Sequence, residues 1–144
     1  MRKADGPRFE REFKAKMKKK YYTRRLPTLR TGYAGLSQPA DFILVGDNFN
    51  YVEVKETARD RFSISTLQQY PEIVEFLEYK ERVQSLIGCE MNYWLIVRFI
   101  DRCVCAISNE DILKLKAEKR TLRCNTPEAV VFETIEDLRE GDLF

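Results

Sequence analysis

Apolar residues return at every fourth position in Phe9, Phe13 and Met17, and this spacing predicts a helix over residues 8–20 with one apolar stripe. Glu10 lies at the border of that stripe. Residues 21–39 carry two prolines, two glycines and no helical period, and read as a loop rich in Tyr and Arg. A hairpin follows. Residues 41–45 (DFILV) form one strand, Gly46-Asp47-Asn48 supplies turn chemistry, and residues 50–56 (NYVEVKE) alternate strictly. Val52 and Val54 point to one face, and Tyr51, Glu53 and Lys55 to the other. Residues 65–84 read as a long amphipathic helix with Ile73, Phe76 and Leu77 inward, and with Pro71 placed to kink it. Residues 92–99 and 102–107 are two more strands, and Trp94 is expected in the core. Asn109 is expected to cap a short helix holding Ile112, Leu113 and Leu115. Residues 130–132 form a short edge strand. The order α-β-β-α-β-β-α predicts an α/β or α+β fold, a mixed central sheet flanked by helices.

The 144 residues suit a single domain able to bury a core without staples. It divides into a basic helix and arm over 1–37, a core over 38–110 and an acidic helical segment over 111–144. The ending, with Ile135, Leu138 and Phe144 among acids, fits either a terminal helix on the fold or a partner-binding tail. No apolar run is long enough to span a membrane, and no signal-peptide pattern opens the chain, so an intracellular protein is expected. Cys89, Cys103, Cys105 and Cys124 form no CxxC pair and are expected to be small, reduced hydrophobes. The chain has no histidine, which excludes Ser-His-Asp and Cys-His nucleophile systems. Net charge is only +2, but residues 1–30 hold twelve Lys/Arg against Asp5, Glu10 and Glu12. Such a basic end suits a polyanion.

The candidate chemistry lies between Gln38 and Lys55. Asp41 begins one strand, and Glu53 and Lys55 share one face of its hairpin partner. That arrangement can bring two carboxylates to one hard cation; Mg²⁺ accepts a few carboxylates together with water and phosphate oxygens. Lys55 beside it can orient or help deprotonate an attacking water, or neutralise charge on a pentavalent transition state. Lys18, Lys19, Lys20, Tyr21, Tyr22, Arg24, Arg25, Arg30 and Tyr33 are the candidates for gripping phosphates and stacking on bases.

Pro39-Ala40-Asp41 followed by Glu53-Val54-Lys55 resembles the PD-(D/E)XK nuclease signature, with alanine inserted between Pro and Asp. The helix pattern F9-E10-R11-E12-F13-K14, the strand start P39-A40-D41-F42, the run E53-V54-K55-E56-T57 and the stretch F62-S63-I64-S65-T66-L67-Q68 resemble RecU-type and related phage Holliday junction resolvases over residues 8 to about 110. The resemblance implies a restriction-endonuclease-like core and a metal-dependent endodeoxyribonuclease acting on branched DNA. Its catalytic residues would be Glu10, Asp41, Glu53, Lys55 and Gln68, with Glu10, Asp41 and Glu53 holding Mg²⁺ (Mn²⁺ substituting). Leu67 stands where the pattern often has His, and Glu12 competes with Glu10 for the helical role. Glu56, on the opposite sheet face, is expected to bridge charges at the surface. The resemblance further implies a homodimer in the cytoplasm of a bacterial or phage-infected cell. The alternatives are another nuclease of the superfamily, of restriction or phage recombination type, and a non-catalytic nucleic-acid-binding module.

Overall fold

The structure, a computed structural model, describes residues 2–27 and 38–144. Arg30 and Tyr33 lie outside the described residues. In chain order the elements are α1 (Gly6–Met17), β1 (Tyr22–Arg25), β2 (Phe42–Val45), β3 (Phe49–Thr57), a 3-10 turn (Ile64–Thr66), α2 (Tyr70–Ile87), β4 (Met91–Phe99), β5 (Cys103–Ser108), α3 (Asn109–Ala117), β6 (Val130–Phe132) and α4 (Ile135–Glu140). The strands form one six-stranded sheet in the order β1-β2-β3-β4-β5-β6. Every pairing is antiparallel except the central one, β3 with β4, which is parallel. α2 lies in the connection between those two parallel strands, where a crossover is required.

Strand alternation divides the core between the two faces of the sheet. Phe42, Leu44, Val52, Val54, Ile96 and Val104 pack with Phe9, Phe13 and Met17 of α1 and with Ile135 and Leu138 of α4. Tyr93, Leu95, Val97, Cys105 and Ile107 pack on the other side with Ile64, Leu67, Ile73, Ile112 and Leu115. The result is a mixed sheet with helices on both faces, as the alternation predicted. The four-residue stripe of α1 is fully buried. The Asp5 side chain accepts a hydrogen bond from the Arg8 N–H, and Pro7 occupies the first turn, where no N–H is needed.

Several expectations are corrected. Residues 22–25, read as loop, form β1: this strand pairs along β2 and closes that edge of the sheet. Pro71 does not kink α2 but sits in its first turn, where its fixed φ suits the start of a helix. Of the three residues expected inward from α2, only Ile73 is buried; Phe76 and Leu77 are half-buried. Trp94 is likewise partly buried, packed against the core rather than inside it. Ser108, not Asn109, precedes α3, and the buried Asn109 uses its Oδ1 to accept from the Tyr93 N–H. Cys103 and Cys124 are joined in a disulfide, so two of the four thiols expected to stay reduced are not free.

Glu56 does bridge charges, but its own side chain is covered, at the inner end of an ion network on the α1 side of the sheet. Its side chain is fully covered and meets Arg98 at 2.7 Å and Arg2 at 3.2 Å. It also accepts the Asp5 N–H at 2.8 Å. The Arg98 guanidinium lies over the Phe9 ring, 4.3 Å from its centre.

Candidate active site

Register places the two central carboxylates. β2 and β3 pair with Phe42 opposite Val52, so one step further Asp41 stands opposite Glu53. The Asp41 Oδ2 accepts the Val54 N–H at 3.0 Å, which fixes its carboxylate across the hairpin. The backbone N–H of Leu26 donates to the Asp41 carbonyl, so the end of β1 holds the same residue from its other side. Lys55 follows two positions along β3 and is half-buried.

Glu53 is an unusual carboxylate. It is fully buried, and neither of its oxygens has a hydrogen-bond partner among the described residues. Burial pushes its pKa up to about 10; the neighbouring Asp41 carboxylate and the charge of Glu10 add to the rise, and Lys55 opposes it. A carboxylate with no donors in reach, beside a second carboxylate, is costly without a counter-ion. Two solutions exist: a proton shared between the pair, or a cation. Two facing carboxylates, with water and phosphate oxygens for the remaining positions, are donors of the kind a hard cation such as Mg²⁺ takes.

Tyr93, which sequence reasoning passed over, completes the setting. It lies on β4, directly across from Tyr51 on β3, and its hydroxyl donates to the Pro39 carbonyl. Burial, then the charges of Glu53, Asp41 and Glu72, raise its pKa, so the phenol stays protonated and remains a donor. By holding Pro39 it holds the entry to Asp41. The only signal in the sequence was one tyrosine in an apolar strand, which ordinary core packing explains as well. Beside it an open groove is lined by Pro39, Tyr51, Glu72, Phe76 and Tyr79.

The two helical acids separate. The Glu10 charge reaches Glu53, and its carboxylate pairs with Arg25 at 2.7 Å. Glu12 pairs with Arg98 at 2.9 Å and joins the Glu56 network instead. Gln68 is exposed, whereas its neighbour Gln69 has a buried side-chain oxygen with no partner among the described residues. Leu67 is part of the core, which accounts for an apolar residue at that position.

The basic candidates also divide. Lys18, Lys19, Tyr22 and Arg24 are exposed. Lys20 instead pairs with Asp142 at 2.9 Å, a contact that raises its pKa, and lies 3.9 Å from Glu140. Tyr21, expected to face nucleic acid, is buried: it donates to the Arg139 carbonyl and packs edge-on against Phe144. These contacts hold the acidic C-terminal segment on the fold.

No family model matches the sequence, and a search of curated proteins finds no match. Among solved structures the fold is similar to that of Hjc from Archaeoglobus fulgidus, described as a Holliday junction resolvase from an archaeal hyperthermophile. The TM-score is 0.49, with 17% identity over 92% of this chain and 93% of that one.

Proposed function

We propose that this protein is a magnesium-dependent endodeoxyribonuclease that cuts branched DNA. The observation that carries the reading is the pair Asp41 and Glu53, buried face to face, the second without a hydrogen-bond donor among the described residues, with Lys55 beside them and Glu10 within electrostatic reach. Asp41, Glu53 and Glu10 would hold the cation. Bound Mg²⁺ would polarise the scissile phosphate and lower the pKa of a coordinated water. Lys55 orients the attacking water and offsets charge that builds on the phosphate oxygens. Tyr93 fixes Pro39, and thereby the carboxylate two residues on. Lys18, Lys19 and Arg24 grip the DNA backbone from the exposed surface.

The motifs shared with RecU-type resolvases favour a four-way junction as substrate. Paired cuts then need two sites related by a two-fold axis, hence a homodimer. α2 offers apolar surface for that contact, since Tyr79, Leu86 and Ile87 are exposed along it.

The test is cleavage of a labelled four-way junction, a fork and a linear duplex with Mg²⁺. Asp41→Asn and Glu53→Gln are expected to abolish cutting while sparing DNA binding. Near-normal cutting by either variant overturns the site. A monomer that cuts linear duplex as fast as junctions overturns the resolvase reading and leaves the nuclease.

A further inference from the structure

Away from the acidic pair, three sulfurs converge. Cys103 and Cys105 lie two apart on β5, so their side chains share one face of the sheet. Cys124 arrives from the segment that follows α3. The three Sγ atoms lie within 4.8 Å of one another. Cys103 is bonded to Cys124, and the Cys105 Sγ is 3.6 Å from that of Cys103. A disulfide needs two sulfurs, and it leaves the third buried against it.

The segment bearing Cys124 is held in place independently of that bond. Leu122 and Phe62 exchange backbone hydrogen bonds at 2.9 Å in each direction. The Thr126 hydroxyl accepts the Arg123 N–H at 2.8 Å, and the Thr126 N–H donates to the Arg123 carbonyl. The three sulfurs are therefore brought together by the fold and stay close when the disulfide opens. Cys105 is fully covered, whereas Cys124 is only half-buried, which leaves a way in.

We propose that Cys103, Cys105 and Cys124, once reduced, form a three-thiolate site for a soft divalent cation of the zinc class, and that the disulfide is the closed form of this site. Thiolates select soft ions, whereas the carboxylates at Asp41 and Glu53 suit hard ones, so the two sites would not compete for the same metal. The geometry agrees. Zn–S bonds of about 2.3 Å in a tetrahedral arrangement set sulfur–sulfur edges of about 3.8 Å, and the Cys103–Cys105 separation is already 3.6 Å. A water or the Arg123 carbonyl, which lies 3.5 Å from the Cys105 Sγ, would fill the fourth position. Opening the site needs a reductant. A phosphine and one water convert the disulfide to two thiols, the phosphine leaving as its oxide. Binding Zn²⁺ then releases three protons and leaves a complex of charge −1. The inference stands apart from the nuclease reading, because neither the residues nor the assay involve the acidic pair.

The experiment compares the full chain with C105S and C89S. Each protein is reduced with a phosphine without oxygen, loaded with Zn²⁺, and desalted. Zinc is measured by mass spectrometry, and affinity by competition with a chromophoric chelator. Wild type and C89S are expected to retain one zinc per chain, and C105S to bind at least ten-fold more weakly. Cd²⁺ loading should give a sulfur-to-metal charge-transfer band in wild type that falls by about a third in C105S. Equal zinc affinity in C105S and wild type, or no retained zinc in reduced wild type, overturns the proposal. Should C105S fail to fold, X-ray absorption of zinc-loaded wild type decides: three sulfur neighbours support the site, and two or fewer overturn it.

Discussion

Replacing Glu53 with Gln should make the metal-free protein more stable, not less, and increasingly so as pH rises. In the unfolded chain the group titrates near its ordinary 4.5; in the fold, burial and Asp41 push it up to about 10. Below pH 4.5 both states hold the proton and the group contributes no pH dependence. Between these values the unfolded state releases its proton while the folded state keeps it. Stability therefore falls with pH at roughly 1.4 kcal/mol per pH unit, to about 5 kcal/mol lost at pH 8. Side-chain relaxation and water entry reduce that ceiling, and half of it is still readily measured. Glutamine keeps the shape and stays neutral, so the variant escapes the penalty. The chain's one tryptophan, Trp94, packs edge-on against Phe144 and reports unfolding by fluorescence. Urea titrations of both proteins from pH 5 to pH 9 with a chelator give the difference directly. Repeating them with Mg²⁺ should recover stability in wild type and little in the variant, because a cation rewards the ionised carboxylate. A stability difference that does not change with pH, or a variant less stable than wild type at pH 8, refutes the reasoning.

Lys18→Ala with Lys19→Ala should lower the log–log salt slope of DNA binding by about 2 units, roughly one per lost phosphate contact. Lys20→Ala should leave that slope unchanged and lower thermal stability instead, because Lys20 holds the C-terminal segment; the reverse pattern in fluorescence binding and melting curves would reject this division. Tyr93→Phe should cost about 1 kcal/mol for its lost hydrogen bond and weaken Mn²⁺ binding by loosening the approach to Asp41. Calorimetry showing unchanged affinity would remove Tyr93 from the site. Glu56→Gln should destabilise by about 2 kcal/mol, because it removes the buried one of the two carboxylates that neutralise Arg98 and leaves only Glu12. A shift under 0.5 kcal/mol in denaturant unfolding would contradict that.

Much of the sheet was legible because its strands obey a period of two. Tyr51, Glu53 and Lys55 alternate with Val52 and Val54, and no other element fits that pattern. The stripe Phe9-Phe13-Met17 was legible for the same reason at a period of four. β1 was not, because Tyr22–Arg25 carries no apolar alternation: its strand character comes from pairing with Ile43 and Leu44. Facing of Asp41 toward Glu53 could be read from the hairpin. The buried state of Glu53 could not, since it depends on β4 lying alongside β3, a contact between residues far apart in sequence. The resembled motif already favoured Glu10 over Glu12 by its spacing; that Glu12 turns to Arg98 instead could not be read, because Arg98 is remote in the chain. The disulfide was hidden because nothing in the spacing of Cys103 and Cys124 says that the segment after α3 returns to β5.

The parallel seam between β3 and β4 sets the order in which the molecule can come together. β1, β2 and β3 form one antiparallel meander, and β4, β5 and β6 another; each can close from neighbours in the chain. The seam is the strand pairing that joins them, and it must wait for the whole of α2 to be spanned, an entropic delay that makes it a late event. Glu53 and Lys55 lie on one side of it and Tyr93 on the other. Chains that have folded both halves but not docked them would thus leave Glu53 in water, without the burial that raises its pKa. They would also expose the unpaired edge of the apolar strand β4, the form most prone to self-association. Refolding at rising protein concentration should therefore lose yield at the docking step, before the acidic pair has been buried.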